Sequence, residues 1–223
     1  MESPKTSSLA TFFDLKYSSS IRIWHWLTFL FMTASIVTVL FASTLFEGDH
    51  NRPRVNPPQE VNNQEQHFDF SKLSPEDRVS LEYKHKIWDV HKFIGFGLCI
   101  LLLTRVIIEA TNNKEGQLMA RIHQAVNIPV RSTDAQKEKR HYLVIKRGYL
   151  VFYVLFFMMA LTGLIMAFDH LDFLKPLIKP AKSIHSLVQY FIYAYILAHL
   201  VGVIRADMKR QKGIVSAMIN GGS

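Results

Sequence analysis

Four apolar stretches alternate with strongly polar segments along the chain. A transmembrane helix needs about 20 predominantly apolar residues. Four segments reach this length, namely residues 21–46, 87–108, 149–168 and 184–204, and none of them contains proline. No internal repeat or low-complexity segment separates them. The pattern predicts an all-α integral membrane protein in which residues 1–223 form one four-helix bundle domain.

Composition agrees with a membrane protein and argues against a nucleic-acid-binding one. The chain is 49% hydrophobic and has a net charge of +8. The basic residues flank the apolar stretches, as a membrane orientation signal requires, so we expect contact with lipid and not with nucleic acid. The first stretch is too long for the apolar region of a cleavable signal peptide, and no clear cleavage site follows it.

The charges of the connecting segments predict the orientation of the helices. Residues 47–90 include nine acidic and six basic residues, whereas residues 111–147 include eight basic and three acidic ones. The segment after Ile204 is basic as well. Because Lys- and Arg-rich loops stay in the cytoplasm, both termini and the loop 111–147 are predicted to be cytoplasmic, and the loop 47–86 extracytoplasmic.

Four of the ten histidines lie within the apolar stretches or at their ends: His25, His91, His185 and His199. His185 and His199 are 14 residues apart, which on a helix is about 21 Å and about 40° short of four full turns. They therefore project from one face of the last helix, near opposite membrane surfaces. A single histidine at the end of a span is commonly an interface residue, but ionisable groups within a membrane are functional candidates.

Membrane depth predicts how these histidines pair. The second and fourth helices run inward, so His91 and His185 both stand at outer ends. The first helix runs outward, which places His25 near the inner surface, where His199 also lies. The predicted pairs are therefore His25 with His199 and His91 with His185. His85 is a rival of His91, but it lies six residues earlier, about 120° away on a helix.

Pairs of imidazoles favour haem as the cofactor. A closed zinc site has four protein ligands, and these pairs have no cysteine or carboxylate partners. Axial ligation of haem iron needs only two imidazoles on opposite sides of a flat ring, and bundle cores hold cofactors on facing helices. With Cys99 as the single cysteine, covalent attachment through a two-cysteine motif is excluded. The sequence predicts two noncovalent haems b with the four histidines as iron ligands.

Haem propionates call for cations near the iron ligands. Arg105 stands 14 residues after His91, at the depth of the inner haem, and Arg22 stands three residues before His25. Both are candidate propionate partners, although snorkelling at the end of a span explains each equally well. The candidates at the outer end are Lys86, Lys92 and Lys182.

Glycines and tryptophans near the span ends have two interpretations each. Gly95 and Gly97 follow His91 by about one turn. They would let a planar macrocycle approach the backbone, and close helix packing explains them nearly as well. An aromatic belt at the membrane boundary is predicted for Trp24, Trp26 and Trp88.

Several of these residues form motifs of a known family. They are the stretch Ser20-Ile-Arg-Ile-Trp-His-Trp26, the second-helix set His91, Gly95 and Arg105, the fourth-helix pair His185 and His199, and the tail 205–221. In these motifs the chain resembles the prokaryotic cytochrome b561 family, and within it the b-type cytochrome subunit of membrane-bound nickel–iron hydrogenases. The likeness covers the four helices and the tail, but not the outer loop 47–86.

The resemblance implies electron transfer across the bacterial inner membrane. Electrons would pass between quinone and an extracytoplasmic, hydrogenase-like oxidoreductase, through two haems about 21 Å apart by ligand height. The chain would then be an electron-transfer subunit with no catalytic residue of its own. Candidate quinone contacts near the inner haem are Tyr17, Arg22 and Lys146.

Two other functions remain open at this level. The first is a stand-alone superoxide:quinone oxidoreductase of the same family, for which the outer lysines would serve as a basic haem edge. The second is a proton or metal transporter, which usually needs carboxylates or broken helices at mid-depth. The spans have only Glu109 and Asp169 at their edges, which disfavours transport.

Overall fold

The structure, a computed structural model, describes residues 18–47, 75–111, 117–130, 132–209 and 213–221. These residues form helices and no strand, which confirms the predicted all-α class. The helices are α1 (Ser19–Glu47), α2 (Pro75–Thr111), α3 (Leu118–Asn127), α4 (Thr133–Ala167), α5 (Lys175–Lys209) and α6 (Ile214–Asn220), with a 3-10 turn at Asp172–Leu174 before α5.

Among the described helices, α1, α2, α4 and α5 are long and apolar enough to cross a membrane. Large apolar side chains project outward along all four, for example Leu30, Phe93, Phe157 and Leu197, which are 56–74% exposed. Water would penalise such a surface, whereas lipid tails are a good solvent for it. The four predicted membrane helices are thereby confirmed.

The helices extend beyond the predicted apolar stretches. The second begins at Pro75 instead of residue 87, and the third at Thr133 instead of residue 149. Hydropathy marks only the lipid-facing part of a helix, whereas its backbone hydrogen bonds continue into polar sequence. The end of the predicted outer loop 47–86 is therefore helical, and the predicted cytoplasmic loop 111–147 includes α3 and the first turns of α4.

Side chains fix the ends of the helices in the region 111–147. Ser132 caps α4 because its hydroxyl accepts a hydrogen bond from Ala135 N at 3.2 Å, as N-cap serines do. The first amide of α3, that of Leu118, donates to the Glu109 carboxylate. At the other end of α3, the Lys139 ammonium donates to the carbonyls of Val126 and Ile128 at 2.7 and 2.8 Å. These contacts hold α3 against its neighbours in sequence.

Two prolines lie near the start of α5 and not in the connection that precedes it. Pro176 occupies the first turn, where a helix does not need the missing N–H. Pro180 lies inside the helix and removes one backbone hydrogen bond there. The connection between α4 and α5 therefore shortens to residues 168–174.

The chain divides into two compact units, residues 1–29 with 98–223 and residues 30–97. In the first unit α4 and α5 pack along each other, and Phe156, Val188 and Ile192 are buried there. In the second unit the first and second helices approach at Gly97, where an added Cβ would overlap the Phe31 ring. The close-packing interpretation of Gly97 is therefore the one that the structure supports.

Candidate haem-ligand histidines

His25 in α1 and His199 in α5 face each other within the first unit. Their ring centroids are 6.2 Å apart and the rings are inclined at 62°. Tyr195, one helical turn before His199, lies parallel to its ring at 6.4 Å and 5°. Of the two imidazoles, that of His25 is half-buried and that of His199 is on the exposed side of α5. The structure thus brings together the two residues that the sequence paired at the inner depth.

The separation of these two rings matches that of two ligands to one metal. A bond from a metal to an imidazole nitrogen is about 2 Å long, and the ring centre is roughly 1 Å further on, so two trans imidazoles have centres roughly 6 Å apart. The measured 6.2 Å agrees with this. Among the described residues no cluster of three or more His, Cys, Asp or Glu side chains could hold a metal ion. The donor set at this point is therefore two imidazoles, as haem iron takes.

His91 lies in the second unit and has a hydroxyl partner. Its Nδ1 is 2.9 Å from Oγ1 of Thr38, and the edge of its ring meets the Trp88 ring at a centroid distance of 5.5 Å. The side chain is half-buried, whereas that of His85 on the same helix is exposed. Burial and a fixed ring orientation both favour His91 over His85 as a ligand.

His185 lies in the first unit and has a partner of the same kind. Its Nδ1 is 2.9 Å from Oγ1 of Thr162. The imidazole also packs on the backbone of α4, because a Cβ added to Gly163 would lie 3.5 Å from Cε1 of His185. The adjacent residues Thr162 and Gly163 therefore provide a hydrogen-bond partner and the space for the ring.

Arg105 turns into the protein and does not snorkel. Its side chain is 14% exposed and pairs with Glu109 at 3.0 Å. Nε donates to the Tyr153 hydroxyl at 2.8 Å, and the guanidinium lies 5.8 Å from the centre of the Trp24 ring. Nη1 is buried and has no hydrogen-bond partner among the described residues. Since a buried donor without an acceptor is costly, this nitrogen fits an anionic ligand such as a propionate.

Trp24 is a packing residue and not part of an aromatic belt. It is 9% exposed, and its Nε1 donates to the carbonyl of Leu101 at 2.7 Å. The belt prediction is wrong for this residue because its indole faces α2 and Arg105 instead of the membrane boundary. Trp26 and Trp88 are both partly exposed, at 42% and 39%.

Arg22 joins α1 to the end of α6. Its Nη1 donates to the carbonyl of Ile219 at 2.7 Å, and Nη2 to the Ser19 hydroxyl at 3.1 Å. Trp26 adds a hydrogen bond from Nε1 to the carbonyl of Met218 at 3.3 Å. A cation at a helix C-terminus is favourable. Nε of Arg22 is buried without a partner among the described residues, so one donor is left for the predicted propionate contact.

The remaining candidate contacts lie in different surroundings. Lys146 is half-buried, and its ammonium lies over the rings of Tyr142 and Tyr149 at 5.4 and 5.3 Å. Tyr17, the other quinone candidate, lies outside the described residues. At the outer end Lys86 pairs with Glu82 at 2.7 Å and Lys92 with Asp89 at 3.7 Å. Lys182 is exposed.

The side chains that contact the candidate ligands and Arg105 were not predicted from the sequence. Tyr153 and Glu109 orient Arg105, and Thr38 and Thr162 contact histidines. Thr38 stands 13 residues after His25, which is about 20 Å along a helix. The sequence thus indicated the position of Thr38 along α1, but nothing in it distinguished Thr38 from the other threonines of the spans as a histidine partner.

Comparison with known proteins identifies a family for the chain. A model of the family described as prokaryotic cytochrome b561 matches residues 16–221 of the chain. No curated protein and no solved structure matches it.

Proposed function

Because this chain belongs to the prokaryotic cytochrome b561 family, whose model covers nearly all of it, we propose that it carries electrons across the inner membrane through two haems b. Family membership makes it a b-type cytochrome of transmembrane electron transfer. Beyond this, we propose the number of haems, the histidines that bind them, the redox partner and the role of quinone. Bound haem supplies an iron that gains and loses one electron reversibly.

The single observation that carries the proposal is the pair His25 and His199. Two helices far apart in sequence place these imidazoles at the spacing of two ligands to one iron, with centroids 6.2 Å apart. We assign the inner haem to this pair.

Arg105 supports the inner site by its charge. Its buried Nη1 has no acceptor among the described residues, and Tyr153 and Glu109 hold the other guanidinium nitrogens in place. A guanidinium fixed in this way can neutralise a propionate through charge-assisted hydrogen bonds. Arg22, with its buried Nε, is the second proposed partner.

The outer haem is assigned to His91 and His185. The pairing follows from the predicted membrane depth of these residues. The two histidines have in common a threonine hydroxyl at 2.9 Å from Nδ1, which is the kind of partner that metal-ligating histidines have on their second nitrogen.

The proposed electron path runs from an extracytoplasmic, hydrogenase-like oxidoreductase to quinone near the inner haem. The cytoplasmic position of the termini follows from the charges of the loops. Arg22 and Lys146 are the proposed quinone contacts, together with Tyr17. The outer lysines Lys86 and Lys92 pair with acidic neighbours one turn away, which reduces the local positive charge that the superoxide:quinone alternative would use.

A reduced-minus-oxidised absorption spectrum with haem quantification tests this function. The purified chain is expected to hold two haems b, both of which contribute to the difference spectrum. A preparation without haem would refute the function, and a preparation with one haem would refute the two-pair assignment. Purification in mild detergent then tests the partner: a retained iron–sulfur or hydrogenase subunit supports the proposed path, whereas superoxide-dependent quinone reduction by the isolated chain contradicts it.

A further inference from the structure

We propose that Thr38 and Thr162 are positioning residues that keep the Nδ1 atoms of His91 and His185 protonated, so that each ring presents Nε2 to the iron of the outer haem. The proposal rests on the proposed function, because it assigns partners to the ligands named there. It follows from the acceptor to which each threonine donates its hydroxyl proton.

The hydroxyl proton of Thr162 is used within its own helix. Oγ1 donates to the carbonyl of Met158 at 2.6 Å and lies 3.2 Å from that of Met159. A hydroxyl has one proton and two lone pairs, so towards His185 this oxygen can only accept. Nδ1 of His185, 2.9 Å away, must therefore be the donor. An unprotonated Nδ1 would place two lone pairs against each other in a site where Thr162 is 3% exposed.

Thr38 repeats this arrangement in the second unit. Its Oγ1 donates to the carbonyl of Ser35 at 2.7 Å, which commits its single proton. The same oxygen is 2.9 Å from Nδ1 of His91, so here too the imidazole nitrogen donates. In a neutral imidazole with a proton on Nδ1, the nitrogen with the available lone pair is Nε2. Two helices thus fix the tautomer of two histidines by the same means.

The inner pair differs in this respect. Among the described residues neither His25 nor His199 has a hydroxyl partner of this kind; their contacts are with each other and with the rings of Trp26 and Tyr195. A hydrogen bond from the second ring nitrogen raises the basicity of a ligating imidazole, and a more basic ligand favours oxidised iron. The threonines are therefore expected to lower the midpoint potential of the outer haem relative to the inner one. The inner haem provides an internal reference.

Substitutions at the two threonines test the proposal in the haem-loaded full-length chain. Valine keeps the shape of threonine and removes the acceptor, whereas serine keeps the hydroxyl. We expect Thr162→Val and Thr38→Val to raise the midpoint potential of the outer haem and to weaken its binding by about 10-fold or more. In Thr162→Ser and Thr38→Ser the midpoint potential of the outer haem should stay close to that of the unsubstituted protein. The inner haem should keep its potential in all four variants.

Thr104→Val is the matched control, because Thr104 is exposed in α2 and, among the described residues, its hydroxyl bonds only the Ile100 carbonyl of its own helix, at 2.9 Å. It should change neither potential. If the valine variants do not accumulate, alanine replaces valine, and ¹⁵N NMR of labelled histidine in the reduced protein gives a measurement without substitution. There the Nδ1–H groups of the outer ligands should be more strongly hydrogen-bonded than those of the inner ligands.

The outcomes separate the inference from the function on which it rests. Wild-type protein without haem would refute the proposed function itself. Two haems together with equal potentials in the valine and serine variants would overturn only the role of the threonines. A potential shift confined to the inner haem would also overturn the role of the threonines. So would four histidine Nδ1–H groups that are hydrogen-bonded equally strongly.

Discussion

The imidazole of His25 faces that of His199 with 6.2 Å between the ring centroids, although 174 positions separate the two residues in the chain. Removing either ring leaves the proposed inner haem with one axial ligand. We expect His25→Ala and His199→Ala each to lose the inner haem, which is about half of the bound haem, and to retain the outer one. Haem quantification and the difference spectrum measure this. Loss of the outer haem in either variant would refute the depth assignment.

His91 and His85 lie on the same helix, and only the first is predicted to bind haem. His91 is half-buried with Nδ1 bonded to Thr38, whereas His85 is exposed. We therefore expect His91→Ala to remove the outer haem and His85→Ala to leave the haem content unchanged. The two variants serve as each other's control. A haem-depleted His85→Ala protein would reverse the choice between these ligands.

Arg105 and Glu109 form an ion pair that is largely out of water. Their side chains are 14% and 31% exposed, with nitrogen and oxygen 3.0 Å apart. Arg105→Gln removes the cation beside Glu109 and leaves the Leu118 amide as a partner of the carboxylate, so we expect a loss of roughly 1–3 kcal/mol in the free energy of unfolding. Adding Glu109→Gln should restore part of that loss, which thermal unfolding in detergent measures.

The same variants also test the charge near the inner haem. A cation beside a propionate favours the reduced iron, so Arg105→Gln should lower the midpoint potential of the inner haem. Arg121→Gln is the control, because Arg121 is exposed on α3. An unchanged inner potential in Arg105→Gln would show that Nη1 does not face a propionate.

Gly97 is required by packing against Phe31. A Cβ at this position would overlap the phenyl ring, so we expect Gly97→Ala to lower the free energy of unfolding by about 1–3 kcal/mol through overpacking. The higher helix propensity of alanine offsets about 1 kcal/mol of this loss. Gly148→Ala shows the propensity gain alone, since no atom of the described residues lies within 4 Å of its added Cβ. The difference in unfolding temperature between the two variants reports the overlap.

A second substitution checks the cause of that difference. Phe31→Leu gives a smaller and more adaptable side chain, so it should relieve Gly97→Ala in the double variant. If Gly97→Ala is as stable as Gly148→Ala, the contact with Phe31 does not constrain this glycine.

Arg22 holds α6 through the carbonyl of Ile219 at 2.7 Å. Arg22→Gln shortens the side chain and removes the charge at the helix C-terminus, so we expect faster hydrogen exchange of the amides in α6. Arg121→Gln, which alters an exposed guanidinium on α3, should leave the exchange rate unchanged. Equal exchange in the two variants would show that α6 is held by its other contacts, such as the hydrogen bond from Trp26.

The four membrane helices could be predicted from the sequence because a lipid-crossing helix has to satisfy its own backbone and present apolar side chains. These demands are local, and they show directly as apolar stretches. The ends of α2 and α4 could not be predicted in this way, because polar sequence is compatible with both helix and loop. Capping side chains such as Ser132 determine where the helix begins.

The four histidines were also identified from the sequence, since helical rise and topology convert residue numbers into membrane depth. The same arithmetic gave the pair His25 and His199, which the structure brings face to face. It did not give the inward turn of Arg105 or the burial of Trp24. Helical position specifies depth, but the side of the helix that meets protein instead of lipid depends on the neighbouring helices.

The partners of the ligands were decided by tertiary structure alone. A hydrogen bond from Nδ1 of His185 to Thr162, or from His91 to Thr38, depends on a few tenths of an ångström between residues of different helices. Several threonines in the spans have the right chemistry, and the sequence does not distinguish among them. The sequence therefore predicted which residues are candidates to bind iron and at what depth, and the packing of the helices decided how the rings of two of them are oriented.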